Sequence, residues 1–374
     1  MKPSVPHPTR VEIHLGRLTH NLRVLQSLVG KCPLWPAVKA NAYGHGAPLV
    51  ARHLLDLGLD TLCVAHATEA ITLLDMGIRA RYLLLSAALP EVSEVVVGYD
   101  LESAVGDLSV VQALSRAAER SNRQVSIHVK IDTGMGRVGI RPEAAVDFVA
   151  ACQALPGVRV RGVMSHFPRA DEADKSYSFA QTERFHDVVN ALGAYGIEYF
   201  HMANSAAIFD FPEARFDAVR PGISVYGLRP SSAIVNAEVQ ALQPVLEWKS
   251  RITFLKSVPA GTGLSYGHTA GTHRDSLIAT IPCGYGDGLS RRFSNNLEVL
   301  VGGLRCPLVG RVTMDQSLID VTDVGASIAL GDEVVILGRQ GDQEITAEEL
   351  AARIGTINYE IVTAISTRVP RFAV

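Results

Sequence analysis

Over the first 226 residues, short apolar runs alternate with stretches in which apolar positions return every three or four residues. The runs lie at 34–38, 61–64, 81–85, 101–105, 125–131, 160–164, 199–202 and 218–226, and each reads as a strand. Helical periodicity follows at 48–57, 68–76, 90–96, 109–120, 142–154, 176–195 and 205–208. Eight strand-like runs at this spacing predict βα units closing into a (β/α)8 barrel of the TIM type. After Tyr226 the pattern changes. From Leu246 apolar and polar residues alternate, as in Glu247-Trp248-Lys249-Ser250-Arg251-Ile252, with interruptions at Gly261, Gly263, Gly284, Gly286, Gly302, Gly303 and Gly331. Short alternating runs between glycines predict a mainly antiparallel β-domain. A late helix over 347–354 ends at Gly355, a suitable C-terminal cap. With 230–244 read as a linker, the barrel spans 10–240 and the β-domain 241–374, which residues 1–9 could join.

Length agrees with this division, since 374 residues accommodate a barrel of roughly 250 residues and a smaller domain. A composition of 47% hydrophobic and 20% charged residues is that of a globular chain with a large core. The net charge of -3 gives no basis for nucleic-acid or anionic-membrane partners. Five scattered cysteines without a CxxC pair read as reduced thiols and not as a zinc site, so no metal is expected. The N-terminal MKPSVPHPTR has no apolar leader core and no later run reaches membrane-span length, so the expectation is a cytoplasmic protein.

Candidate chemistry gathers at the predicted strand ends, where a barrel builds its active site. Lys39, in AVKANAYGHG, follows the first strand, at a place where an unpartnered ammonium is costly. An imine with a carbonyl cofactor would remove that cost; a snorkelling lysine on the barrel rim, followed by a glycine turn, is the alternative. Lys130, Asp132 and Arg137 follow the fifth strand in HVKIDTGMGRVG, and His166 the sixth in GVMSHF. Asn204 and Ser205 follow the seventh in HMANSAA, and Arg220 and Gly222 lie in the eighth in VRPGISVYG. One histidine or arginine at a strand end is ordinary; convergence from five strands points to a site.

These motifs closely resemble those of the alanine racemases, pyridoxal 5′-phosphate (PLP) enzymes of fold type III. GLSYGHT, PCGYGDG, GRVTMDQ and INYEIV follow in the second domain in family order, so the resemblance covers nearly the whole chain. It implies that Lys39 holds PLP covalently and serves as one acid/base. Tyr266, donated by the partner subunit of a homodimer, would be the other, on the opposite face of the substrate. Arg220 would face the pyridine nitrogen, with His166 against the cofactor and supporting Arg220 in a hydrogen-bond chain. Tyr43, Asn204, Ser205, Tyr359 and the amides of Gly222 and Ile223 would complete the cofactor site. Arg137 and Met314 would bind the substrate carboxylate, and Tyr285 would narrow the entrance. Lys130 is commonly carbamylated in the family; a plain lysine paired with Asp132 is the alternative. Thr313, His268 and Ala270 stand where the family often has cysteine, arginine and tryptophan.

The resemblance implies interconversion of L- and D-alanine, supplying D-alanine for peptidoglycan or serving alanine catabolism. A broad-specificity or serine racemase of the same fold is the main alternative. A PLP decarboxylase is disfavoured by Arg220, because decarboxylation benefits from a protonated, electron-poor ring. A non-catalytic PLP carrier would not need Tyr266.

Overall fold

The computed structural model describes residues 7–325 and 328–374, so the first six residues of the leader reading lie outside the described residues. The chain divides into two compact units. One comprises Gly16–Ala42 and Ala47–Gln243; the other comprises residues up to Leu15, Tyr43–Gly46 and Pro244–Val374.

The first unit is the expected α/β barrel. Six parallel strands, Thr61–Val64, Arg81–Leu84, Glu102–Val105, Val125–Lys130, Val158–Met164 and Tyr199–His201, pair in chain order. The remaining two predicted strands are present only as single parallel bridges. Ala37 bridges Cys63 on one side, Leu34 bridges Val219 on the other, and Ala218 bridges His201, which carries the pairing around the ring. Proline explains why no ladder forms there. Pro36 and Pro221 accept from the Cys63 and Ala37 amides but have no N–H to donate, so neither can form the next rung that would extend its bridge into a ladder. The eighth run therefore differs from the expectation: its latter half, Ile223–Tyr226, is a 3-10 turn.

Helices cover the sheet through one apolar face each. Leu108–Ser121 starts at Asp107, whose carboxylate accepts the Ser109 amide at 2.7 Å, and buries Val110, Val111, Leu114, Ala117 and Ala118. It stops at Asn122, which adopts a left-handed conformation with φ 49°. The expected linker contains a 3-10 turn, Ala237–Ala241, and the Val235 and Asn236 amides bond the Asp210 carboxylate.

The second unit is built on a mixed sheet in the order Leu304–Pro307, Glu298–Val301, Glu333–Gln340, Leu246–Arg251, Arg10–Ile13 and Arg371–Ala373. All pairs are antiparallel except the last, Arg10–Ile13 with Arg371–Ala373. Residues 10–13, read from the sequence as the start of the barrel domain, thus pair with Leu246–Arg251. Their alternation explains it: Val11 and Ile13 are buried, while Arg10 and Glu12 reach Glu333 and Lys249. Phe254–Val258, Ser276–Ile281 and Ser317–Asp320 form a second, antiparallel sheet. The helix Ala347–Ile354 is capped by Thr346 and ends at Gly355 with φ 66°, as its sequence predicts. Among the described residues no helix is long and apolar enough to cross a membrane.

Candidate active site

Lys39 leaves the barrel wall through an unusual turn. Val38 is still bonded to the Cys63 carbonyl at 2.8 Å. The next residues, Ala40, Asn41, Ala42 and Tyr43, all have φ between 51° and 55°, a left-handed helical turn without a glycine. Such a conformation costs roughly 1–2 kcal/mol per L-residue, so the surroundings must hold it. Glu69 accepts the Ala40 amide at 2.7 Å, and Asn41 accepts the Ala47 amide at 2.8 Å. Lys39 is half-buried, and its amine is held below the ordinary lysine value by burial first and by the Arg137 charge second, against the pull of Glu69. The glycine beyond the turn serves packing: a Cβ on Gly44 would sit 1.9 Å from the Val362 carbonyl oxygen.

Arg220 is buried, with 4% of its surface exposed, and both terminal nitrogens of its guanidinium are engaged. One nitrogen donates to the His201 ring and, at 3.0 Å, to the His201 carbonyl; the other donates to Ser165 at 2.6 Å and Met202 at 3.2 Å. Burial pushes its pKa down to about 10, which leaves it charged at neutral pH. The imidazole partner is therefore His201 and not His166, which makes none of the described hydrogen bonds to Arg220. His166 is half-buried and held well below the usual histidine value by burial, then by Lys130, Arg220, Arg137 and Lys39. Four basic side chains thus act on one imidazole. That is an electrostatic demand for an anion.

An anion cradle is built nearby in the sequence of the same unit. Asn204 caps the helix Ser205–Asp210 by accepting the Ala207 amide at 3.1 Å. Ser205 Oγ accepts the amides of Gly222 at 2.8 Å and Ser224 at 3.3 Å, which leaves its own hydrogen free to donate. Ile223 lies between these two amides. The Ser224 hydroxyl is fully buried without a hydrogen-bond partner among the described residues. An unsatisfied buried hydroxyl beside two converging amides fits a polar, acceptor-rich ligand group such as a phosphate.

Lys130 is 7% exposed, and burial first, then the Arg220 and Arg137 charges, hold its amine well below the ordinary value. The alternative pairing with Asp132 is not formed: Asp132 accepts the amides of Gly134, Met135 and Gly136, and makes no ion pair with Lys130. Three backbone donors in one tight loop occupy the carboxylate more completely than a single lysine could. Arg137, at the tip of that loop, is exposed.

In the second unit, Tyr43 and Tyr359 lie with ring centroids 6.2 Å apart. The Gly263–Leu264 and Ala270–Gly271 strands carry the turn Tyr266–His268. Tyr266 is 71% exposed. Its turn is fixed from behind: Ser265, with φ 57°, donates to the Arg311 carbonyl at 2.7 Å. Tyr266 lines a cleft of about 430 Å³ with Ser265, Arg311, Thr313, Gln316, Ser317 and Leu318. Tyr285 and Gly286 donate backbone hydrogen bonds to Thr313 and Met314, each at 2.9 Å, so the PCGYGDG and GRVTMDQ loops form one platform. Tyr285 and Met314 are exposed on it. Thr313 donates to the Gln316 carbonyl at 2.8 Å, and His268 packs over Gly263, where a Cβ would meet its ring at 2.7 Å.

Sequence reasoning missed His128 and Glu102, which bond to each other at 2.9 Å, and His201, which His128 meets at 2.8 Å. The signal was there: His128 is two residues before Lys130 in one strand and so shares its face.

Comparison with known proteins gives concordant results. Residues 13–230 match the family described as alanine racemase, N-terminal domain, and residues 245–373 match alanine racemase, C-terminal domain. An alanine racemase of Halothermothrix orenii is 44% identical over 99% of this chain and 98% of its own. The solved alanine racemase of Clostridium difficile 630 superposes with a TM-score of 0.94 at 36% identity, covering 99% of this chain and 97% of that one. Alanine racemase from Bacillus anthracis with bound L-Ala-P gives a TM-score of 0.93 at 37% identity, covering 100% and 96%.

Proposed function

The chain belongs to the alanine racemase family and is a PLP-dependent alanine racemase, and from that premise we propose the following roles for its residues. PLP, when bound, supplies an electron sink that acidifies the α-carbon of an amino acid joined to it. The residues present fit that group. Lys39 offers a half-buried amine with a depressed pKa for covalent attachment. Ser205 with the amides of Gly222 and Ile223, together with Tyr43 and Tyr359, would hold the phosphate. Asn204 positions Ser205 by capping its helix, and His166 would lie against the ring. Arg220 would hold the ring nitrogen as a permanent cation, which disfavours its protonation and limits side reactions.

Lys39 and Tyr266 exchange the α-proton from opposite faces of the substrate. A racemase needs two such groups, because the proton that leaves one face must be returned to the other. The exposure of Tyr266, Tyr285 and Met314 suits residues that serve a partner's site, so the active species is a homodimer with composite sites. Arg137 and the Met314 amide would bind the substrate carboxylate. Lys130, whose amine burial holds well below the ordinary lysine value, would react in its unprotonated form with carbon dioxide to give a carbamate and a proton, placing an anion beside Arg137.

The Ser205 hydroxyl with the Gly222 and Ser224 amides, beside the buried and unsatisfied Ser224 hydroxyl, carries this reading, since that cradle suits a phosphate-bearing cofactor. The test is α-proton exchange in heavy water by the purified protein with added PLP, using L-alanine, D-alanine and L-serine separately, with chiral analysis of products. Exchange with inversion for alanine alone is expected. Comparable inversion of serine would establish the broad-specificity alternative.

A further inference from the structure

A buried hydrogen-bond chain crosses the barrel interior behind Arg220. Glu102 Oε2 meets His128 Nε2 at 2.9 Å, His128 Nδ1 meets His201 Nε2 at 2.8 Å, and His201 Nδ1 meets Arg220. Both rings are fully buried, and Trp35 encloses them edge-on, 5.9 Å from His128 and 4.9 Å from His201. The backbone makes room for the chain: a Cβ on Gly162 would lie 2.1 Å from His128 Nδ1. At its outer end Arg161 grips Glu102 Oε1 at 2.5 Å and is itself braced by Glu198 at 3.1 Å.

The end groups fix every proton between them. Arg220 can only donate, so His201 Nδ1 is bare and its hydrogen is on Nε2. That hydrogen points to His128 Nδ1, which must accept, so His128 carries its hydrogen on Nε2. Ionised Glu102 can only accept, and it closes the chain. A water molecule in its place could donate or accept and would leave the direction open. We infer that Glu102 is a positioning residue for Arg220, holding His128 and His201 in the single pair of tautomers that presents a bare nitrogen to the guanidinium. This rests on the reading that Arg220 serves the cofactor ring.

The charges facing the chain agree with that state. Burial alone would raise the Glu102 carboxyl, but the His128 hydrogen bond and the charges of Arg161 and Arg81 keep it low. Burial lowers His128 despite Glu102, with Arg161 and Arg220 adding to the effect. His201 is held well below the usual histidine value, by burial first and by the Arg220 charge second.

The test is long-range proton–nitrogen correlation NMR of PLP-loaded protein labelled with [15N]histidine, from pH 6 to pH 9, with kinetics of two variants. Wild type is expected to show both rings neutral, with hydrogen on Nε2 and bare Nδ1. Glu102→Gln retains an accepting oxygen, so both tautomers should persist and kcat should fall less than about threefold. Glu102→Leu removes the acceptor. The single-tautomer pattern should be lost and kcat should fall about tenfold, with KM changed less than about twofold, as expected for a stranded buried donor.

A hydrogen on Nδ1 of either ring in the wild type overturns the inference. So does a folded Glu102→Leu protein with unchanged kcat, or a Glu102→Gln protein that loses more than tenfold while keeping its tautomers. The nitrogen spectra need no turnover: an inactive wild type with the stated tautomers would sink the racemase reading and leave the relay standing.

Discussion

The backbone amide of Gly222 donates to the Ser205 hydroxyl across 2.8 Å, joining the end of the eighth barrel run to the start of the helix after the seventh strand. The hydroxyl accepts Ser224 as well, so its own hydrogen remains for a ligand. Ser205→Ala should weaken PLP binding about tenfold through loss of that donor and of the acceptor for two buried amides. Absorbance titration of apoprotein with PLP measures it. Unchanged affinity would place the phosphate elsewhere.

Lys130 should carry a carbamate. Protein equilibrated with 13C-bicarbonate should show a carbamate carbon resonance that is absent from Lys130→Met. A wild-type spectrum identical to that of the variant would mean that the amine stays unmodified.

Stability should fall in mild acid. His128, His166 and His201 have folded pKa values below their ordinary 6.5. Each therefore binds its proton more readily in the unfolded chain. Their contribution is complete above about pH 6.5 and is lost as pH falls toward the folded values, by at most about 1.4 kcal/mol per pH unit for each group. Thermal unfolding midpoints at pH 7.5 and 5.5 check this, and His201→Gln should flatten the dependence. A midpoint rising toward pH 5.5 would show that these rings are not buried neutral.

Composite sites predict complementation between inactive subunits. In a mixed dimer of Lys39→Ala and Tyr266→Phe chains, one site carries both changes and the other neither. Random reassortment of equal amounts makes half the dimers mixed, so activity should return to about a quarter of wild type. No recovery after verified subunit exchange would mean that Tyr266 acts within its own chain.

Much of this was legible in the sequence, and the exceptions have physical causes. The βα spacing revealed the barrel, but not that Pro36 and Pro221 reduce two of its strands to single bridges. The alternation of Arg10–Ile13 was readable, yet only tertiary pairing shows that it joins the sheet of the second unit. Site candidates were sought at strand ends, which drew attention to Lys39, Ser205 and Arg220. That search passed over Glu102, His128 and His201, whose side chains meet inside the barrel from three different strands. Their partnership depends on barrel register and on the space at Gly162, neither of which a linear pattern contains.

The most direct test of the two-sided mechanism is α-proton exchange of L-alanine and D-alanine in heavy water by Tyr266→Phe, measured separately beside the wild type. Lys39 remains to exchange the proton on its own face, so one enantiomer should keep exchanging while exchange of the other and net racemisation fall by about 100-fold or more. Equal survival of exchange for both enantiomers would contradict the assignment of Tyr266 and, with it, the two-sided mechanism.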